Sequence, residues 1–474
     1  MFRSVYFLLI FGWVSSALAN QALQKPVAEA LVPLPSHWQQ LHIDNPVFGG
    51  QVHVIETGER QNKTLILVHG LGYSGLRDWL DVIASLEADY HIVALDLPGF
   101  GESDSTSLQL APERYADLLK WLIPQFTKQK VTVIGHSMGG AISLRFTATY
   151  PNMVEKLIMV DTAGVLHRSA FVRHMTQMPR RYEWLANYQK NFSIVDEAVN
   201  QFNRIVNQVS GSVLRELDKL PDPTQVLIDN KLAQQYAYKD RPTLNAAIGL
   251  INEDFSSAIN QFTTPTHIIW GEFDQVAPLR TGQLLAYQLE NAQLHVVKDA
   301  GHVPMKDKTR DFMQKLTFAL QQPPIPADKY LAKYSAEKED LFCQNQTDKS
   351  YSGEYRNVYI LGCRYITLDK LSARNLIIKN SEVTMSEVNL NSNGTAVKIE
   401  KSFVTMTNVN LHGATAIQLE GSTLDVAGAK MQSSANTINV IADSLIYLSV
   451  SEKEQAGYKQ FLHGISQGDA FRLK

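Results

Sequence analysis

Five short runs of almost uninterrupted Val, Ile and Leu stand at 52–55, 64–68, 91–95, 131–134 and 156–160. Longer segments of helical character separate them, among them 111–120 and 141–150, the latter stopped by Pro151. A strand that is apolar throughout needs cover on both faces, and a parallel sheet flanked by helices supplies that cover. The expected class is therefore α/β, and the alternation from about 50 to 163 is its first half.

The chain has 474 residues, which calls for about three units at ~100–200 residues each. Strand patterns vanish between 165 and 255, where Phe171, Met175, Met178, Trp184, Leu185 and Tyr188 follow helical spacing. Sheet patterns return at 266–270 and 293–297, and a closing helix at 309–320 ends before Pro323, Pro324 and Pro326. A helical insertion between strands of one sheet reads as a cap over the carboxyl ends of those strands, where open α/β sheets bind ligands. The expected organisation is a signal peptide at 1–19 and a core at 20–164. A cap at 165–255, the rest of the core at 256–322, a linker at 323–354 and a β domain at 355–474 complete it.

The last segment repeats. Ser381-Glu-Val-Thr-Met385 returns as Ser402-Phe-Val-Thr-Met406, then as Ser422-Thr-Leu-Asp-Val426 and, more loosely, Ser444-Leu-Ile-Tyr-Leu448. A period near 21 built from several short strands is a solenoid signature, and no helix-length stretch interrupts it. The pattern predicts a right-handed parallel β-helix of four or five coils rather than an antiparallel sandwich. Val383, Val404, Leu424 and Ile446 should stack as one interior file and Met385, Met406, Val426 and Leu448 as another. Thr384 and Thr405 should face outward.

Arg3, an apolar run from Val5 to Val14 and the small-residue end Ala17-Leu-Ala19 describe a cleavable secretory signal, too short to span a bilayer. The expected location is periplasmic or secreted, with no transmembrane anchor. In such a compartment Cys343 and Cys363, the only two cysteines, are expected to pair, the alternative being two buried thiols. The bond would be worth roughly 3 kcal/mol on the chain-entropy estimate. Lys and Arg total 44 against 47 Asp and Glu, a net charge of −3, which offers no footprint for nucleic acid. The histidines show no metal-ligand spacing, so no metal and no cofactor are expected.

Val133-Ile-Gly135-His-Ser137-Met-Gly139-Gly140 places G-x-S-x-G after a strand and at the opening of a helix. The turn is strained, presents the Ser137 hydroxyl above the sheet, and aims helix N–H groups at a developing oxyanion. Asp274 follows the strand at 266–270, and His302 follows the strand at 293–297. A serine, a carboxylate and a histidine, each placed just after a strand, are the groups that activate a hydroxyl: the imidazole takes its proton and the carboxylate orients the imidazole. Asp161, after the strand at 156–160, is the competing acid. His136 should point away from the hydroxyl, and His69 should shape its loop.

These motifs resemble the α/β-hydrolases of the capped lipase and esterase type over about 45–320. His69-Gly-Leu71-Gly72 is similar to the family's oxyanion loop, which implies the N–H groups of Leu71 and Met138 as the oxyanion hole. Asp96-Leu-Pro-Gly-Phe-Gly-Glu-Ser103 resembles the loop after the next strand. Gly301-His-Val-Pro-Met305 is similar to bacterial esterases, with their following acidic residue displaced by Lys306-Asp307. The resemblance implies a serine hydrolase acting on a small-molecule, lipid or glycan carboxylic ester through Ser137, Asp274 and His302, without cofactor. A carbon–carbon bond hydrolase shares the Ser-Met-Gly-Gly elbow and is one alternative. The other is a glycan-binding or adhesion protein, with a glycan or protein partner on the β-helix and a vestigial hydrolase domain.

Overall fold

The computed structural model describes residues 33–72, 74–107, 109–170, 242–260, 262–329 and 338–473. The expected signal peptide and residues 171–241 of the expected cap lie outside the described residues. The described residues from Gln40 onward form one compact unit.

Eight strands make the first sheet: β1 (Gln39–Asp44), β2 (Gln51–Thr57), β3 (Thr64–Val68), β4 (His91–Leu95), β5 (Val131–His136), β6 (Val154–Val160), β7 (Thr266–Gly271) and β8 (Ala292–Val297). Their order is β1-β2-β4-β3-β5-β6-β7-β8. β2 runs antiparallel to β4, and the pairings from β4 through β8 are all parallel. Every residue of β3 and β4 is buried, as uninterrupted apolar runs require. Among the helices are α1 (Leu80–Leu86), α2 (Pro112–Leu122), α3 (Met138–Thr149), α4 (Pro242–Ile251), α5 (Ser256–Asn260), α6 (Leu279–Gln288), α7 (Pro304–Asp307) and α8 (Thr309–Gln321). Lys156 ties down the end of α8 by donating to the carbonyls of Leu320 (2.9 Å) and Gln322 (2.8 Å). β1 has no counterpart in the sequence reading, because its exposed and half-buried residues do not form an apolar run.

The C-terminal strands stack in parallel. Val383 lies opposite Val404, Val404 opposite Leu424, and Leu424 opposite Ile446; Met385, Met406, Val426 and Leu448 form the adjacent file. All eight side chains are buried at 1% exposure or less, while Thr384 faces solvent and Thr405 is half-buried. The serine that opens each repeat also has a physical reason. Ser402 Oγ accepts the Ser381 N–H (3.0 Å), Ser422 Oγ that of Ser402 (3.1 Å) and Ser444 Oγ that of Ser422 (3.2 Å). Each hydroxyl in turn donates to the carbonyl two residues earlier, so a continuous buried ladder satisfies the corner where the chain turns. Cys363 occupies the same place one coil earlier, its N–H donating to Ser381 Oγ at 2.9 Å.

The coils begin earlier than the expected boundary at 355. Leu341–Gln344 pairs in parallel with Asn357–Leu361, and Ser350–Glu354 with Ile366–Ala373, so residues 341–354 are solenoid rather than linker. That makes six rungs on the main ladder, from Ser350–Glu354 to Ser444–Gln455, against the four or five coils expected. The early coils were hidden because their spacing is shorter: Ile366 stands opposite Val383, 17 positions on, not 21. Cys343 and Cys363 are disulfide-bonded, with Cα atoms 6.7 Å apart. The bond therefore staples the first coils. At the other end Tyr458–Gly468 folds back antiparallel on Ser444–Gln455 and closes the stack.

Candidate active site

β5 lies at the centre of the first sheet, and the chain leaves it through Ser137 into α3. Ser137 has φ 53° and ψ −118°, a left-handed backbone that a side chain seldom tolerates. The surrounding structure holds it there: the Ser137 N–H donates to the Val160 carbonyl at 2.9 Å, and its own carbonyl accepts from Gly140 at 3.0 Å. The motif's last glycines are steric necessities. A Cβ on Gly139 would sit 2.2 Å from the Val68 carbonyl oxygen, so any larger residue would push the elbow off β3.

The three residues read from the sequence as a triad converge. His302 Nε2 lies 2.9 Å from Ser137 Oγ, and His302 Nδ1 lies 2.8 Å from Asp274 Oδ2. Asp274 Oδ1 accepts the N–H groups of Val276 (2.8 Å) and Ala277 (2.9 Å) in the loop after β7, which locks the carboxylate's direction. Ser137 and Asp274 are each 5% exposed. His302 is held by its loop: the Gly301 N–H donates to Asp307 Oδ2 (2.8 Å), and His136 Nε2 donates to the His302 carbonyl (2.7 Å). His136 thus turns away from the hydroxyl. Its burial, and the His302 ring next to it, push its pKa down to about 4, so it works as a neutral donor. Asp307, displaced from the usual family position, reaches the histidine loop all the same.

Asp161 and Asp274 form a coupled carboxyl pair beneath His302. Oxygens of both, with a nitrogen of His302, lie within 4.8 Å of one another. Burial and the adjacent Asp274 raise the Asp161 pKa well above its ordinary value. Burial would raise Asp274 too, but the adjacent His302 ring and the Ala277 N–H that donates to the carboxylate hold it below its ordinary value. The environment thus favours the protonated form of Asp161 and the ionised form of Asp274, and Asp161 Oδ1 accepts the Gly271 N–H at 2.8 Å. The competition between the two acids resolves in position: Asp274 stands 2.8 Å from His302 Nδ1, and Asp161 binds the Gly271 N–H.

The loop after β3 abuts the elbow, since a Cβ on Gly70 would lie 2.9 Å from Ser137 Cβ. His69 shapes that loop: Nδ1 donates to the Gly70 carbonyl (2.7 Å) and Nε2 accepts the Leu97 N–H (2.9 Å). Leu71 stands in this loop. Met138 is the first residue of α3, where helix geometry provides no carbonyl for its N–H. Sequence reasoning missed the paired role of Asp161 and the support from Asp307, because both depend on loops meeting across the sheet.

A family model described as the alpha/beta hydrolase fold matches residues 63–309. An uncharacterised protein of Mycobacterium tuberculosis is 28% identical over 267 residues, 52% of this chain and 72% of its own length. A 2-hydroxy-6-oxononadienedioate/2-hydroxy-6-oxononatrienedioate hydrolase of Pseudomonas putida is 29% identical, over 53% of this chain and 85% of its own. Among solved structures, an esterase of Exiguobacterium antarcticum is similar at 20% identity and a TM-score of 0.44, covering 60% of this chain and 100% of its own.

Proposed function

The chain belongs to the alpha/beta hydrolase family, and from that premise we propose that it is an exported serine hydrolase that cleaves carboxylic esters. The observation that carries the reading is the unbroken line Ser137 Oγ, His302 Nε2, His302 Nδ1, Asp274 Oδ2, with steps of 2.9 and 2.8 Å across hydrogen bonds. A serine hydroxyl is a weak nucleophile until a neutral imidazole accepts its proton. His302 takes that proton as Ser137 Oγ attacks the ester carbonyl, and Asp274 holds Nδ1–H and stabilises the imidazolium. The N–H groups of Leu71 and Met138 receive the oxyanion, a contribution typically worth ~10²–10³ in rate per donor. His302 then protonates the departing alcohol, and water, deprotonated by the same imidazole, releases the acid from Ser137. The disulfide suits an oxidising compartment, in keeping with the signal-like first nineteen residues.

The names of the Pseudomonas relatives favour a second reading, hydrolysis of a carbon–carbon bond in a vinylogous diketone acid. Both reactions use the same serine and histidine, so substrate comparison decides between them. The full chain should hydrolyse p-nitrophenyl butyrate, and Ser137→Ala should lose that activity by at least ~10³-fold. A fluorophosphonate probe should label Ser137 in the parent chain alone. Turnover of a meta-cleavage diketone with no turnover of short esters would establish the second reading. An unlabelled Ser137 would instead favour the solenoid as the working part, on a glycan or protein partner.

A further inference from the structure

We propose that His42, His53 and Glu102 form a binding site for a divalent transition-metal ion of the zinc type, on the far edge of the first sheet from β7 and β8. His53 lies within β2 and is 1% exposed. Its Nδ1 stands 2.8 Å from Asp96 Oδ2, and Asp96 is an acceptor on every side, taking N–H groups from Leu76 (2.7 Å) and Glu102 (3.0 Å). Nδ1 therefore donates to the Asp96 carboxylate, which leaves Nε2 as the ring atom open to a ligand. That atom is buried and has no hydrogen-bond partner among the described residues. A buried polar atom without a partner is costly and calls for an explanation.

The surroundings supply one. The His42 ring of β1 stacks on that of His53, centroids 4.9 Å apart and planes 27° apart. Glu102 approaches from the loop after β4, and one ligand atom from each of the three lies within 4.8 Å of the others. Zinc bonds of ~2.0–2.2 Å need those atoms ~3.5 Å apart, and the exposed side chains of His42 and Glu102 are free to close that distance. Glu102 lies 3.6 Å from Arg77 in a loose ion pair, which a second carboxylate oxygen accommodates. Two imidazoles and a carboxylate suit zinc far better than calcium or magnesium, which prefer oxygen alone. Asp96 holding Nδ1–H adds the carboxylate–histidine–metal arrangement that fixes a ligand's tautomer and raises its basicity. A bound ion would clamp β1, β2 and the 96–103 loop together.

The test uses the full chain after dialysis against EDTA, titrated with zinc chloride by calorimetry and with cobalt(II) by absorption spectroscopy. One zinc per chain, the visible bands of four-coordinate cobalt and a higher Tm with zinc are expected. His42→Ala and Glu102→Gln, both at exposed positions, should keep the parent Tm in EDTA while weakening zinc by at least ~10-fold. The absence of one-to-one binding overturns the proposal, and so does unchanged affinity in both variants.

Discussion

At Ser137 a single residue holds a backbone conformation that costs ~1–3 kcal/mol, and neighbouring N–H and carbonyl groups fix it there. The carboxyl pair behind His302 gives the sharpest residue-scale expectation. Asp161→Asn keeps the shape of a carboxyl whose protonated form its surroundings favour and leaves the His302–Asp274 contact in place, so kcat/KM should fall by less than about tenfold. Asp274→Asn removes the acceptor that fixes the His302 tautomer, and a loss of about 10⁴ is expected, as in other serine triads. Steady-state kinetics on p-nitrophenyl butyrate reads both; equal losses in the two variants would show that Asp161 orients the histidine as well. Ser137, Asp274 and His302 were legible in the sequence because each follows a recognisable strand, in the order of the hydrolases the motifs resemble. The raised pKa of Asp161 was not, since it arises from burial and from a neighbour 113 positions away.

The solenoid shows how an element can be written in one dimension. Stacked coils bury equivalent positions, so an interior file appears in the sequence as a period, and Val383, Val404, Leu424 and Ile446 fell where that period placed them. The shorter first coils share the physics without the spacing, and their boundary was misread accordingly. The serine ladder is the feature most exposed to test. Ser402→Ala leaves the buried Ser381 N–H without its acceptor, which should cost about 1–3 kcal/mol and lower the Tm. Thr384→Ala, on the outer face, should cost less than ~0.5 kcal/mol by the same thermal melt. Equal shifts would mean that the ladder merely decorates the corner.

On the scale of the molecule, the solenoid is joined to the hydrolase core by packing as well as by chain. Asn408 donates to the Gln283 carbonyl (3.0 Å), Gln288 donates to Asn408 Oδ1 (3.1 Å) and the Gly428 carbonyl (3.0 Å), and Arg280 pairs with Asp425 at 2.7 Å. Ala427 and Val450 belong to the same apolar cluster as the core of the first sheet. Gly428, at φ 69°, sits against this seam, where a Cβ would be strained and would press on Leu284 Cδ1 at 2.4 Å. The Arg280 and Asp425 side chains are 17% and 10% exposed, so their pair is shielded from solvent. Arg280→Ala, Asp425→Ala and the double variant, compared by urea unfolding, should yield a coupling of about 1–2 kcal/mol. Strictly additive losses would show that the two halves do not stabilise each other through this pair. The sequence by itself determined the sheet, the elbow, the triad and the repeats, because each is set by local spacing: apolar runs, turn glycines and a period. Only the tertiary structure decided what α6 touches, that Asp161 and Asp274 are buried side by side, and how His42, His53 and Glu102 meet. Those depend on residues far apart in the chain, brought together by strand order and loop closure, which no local pattern encodes.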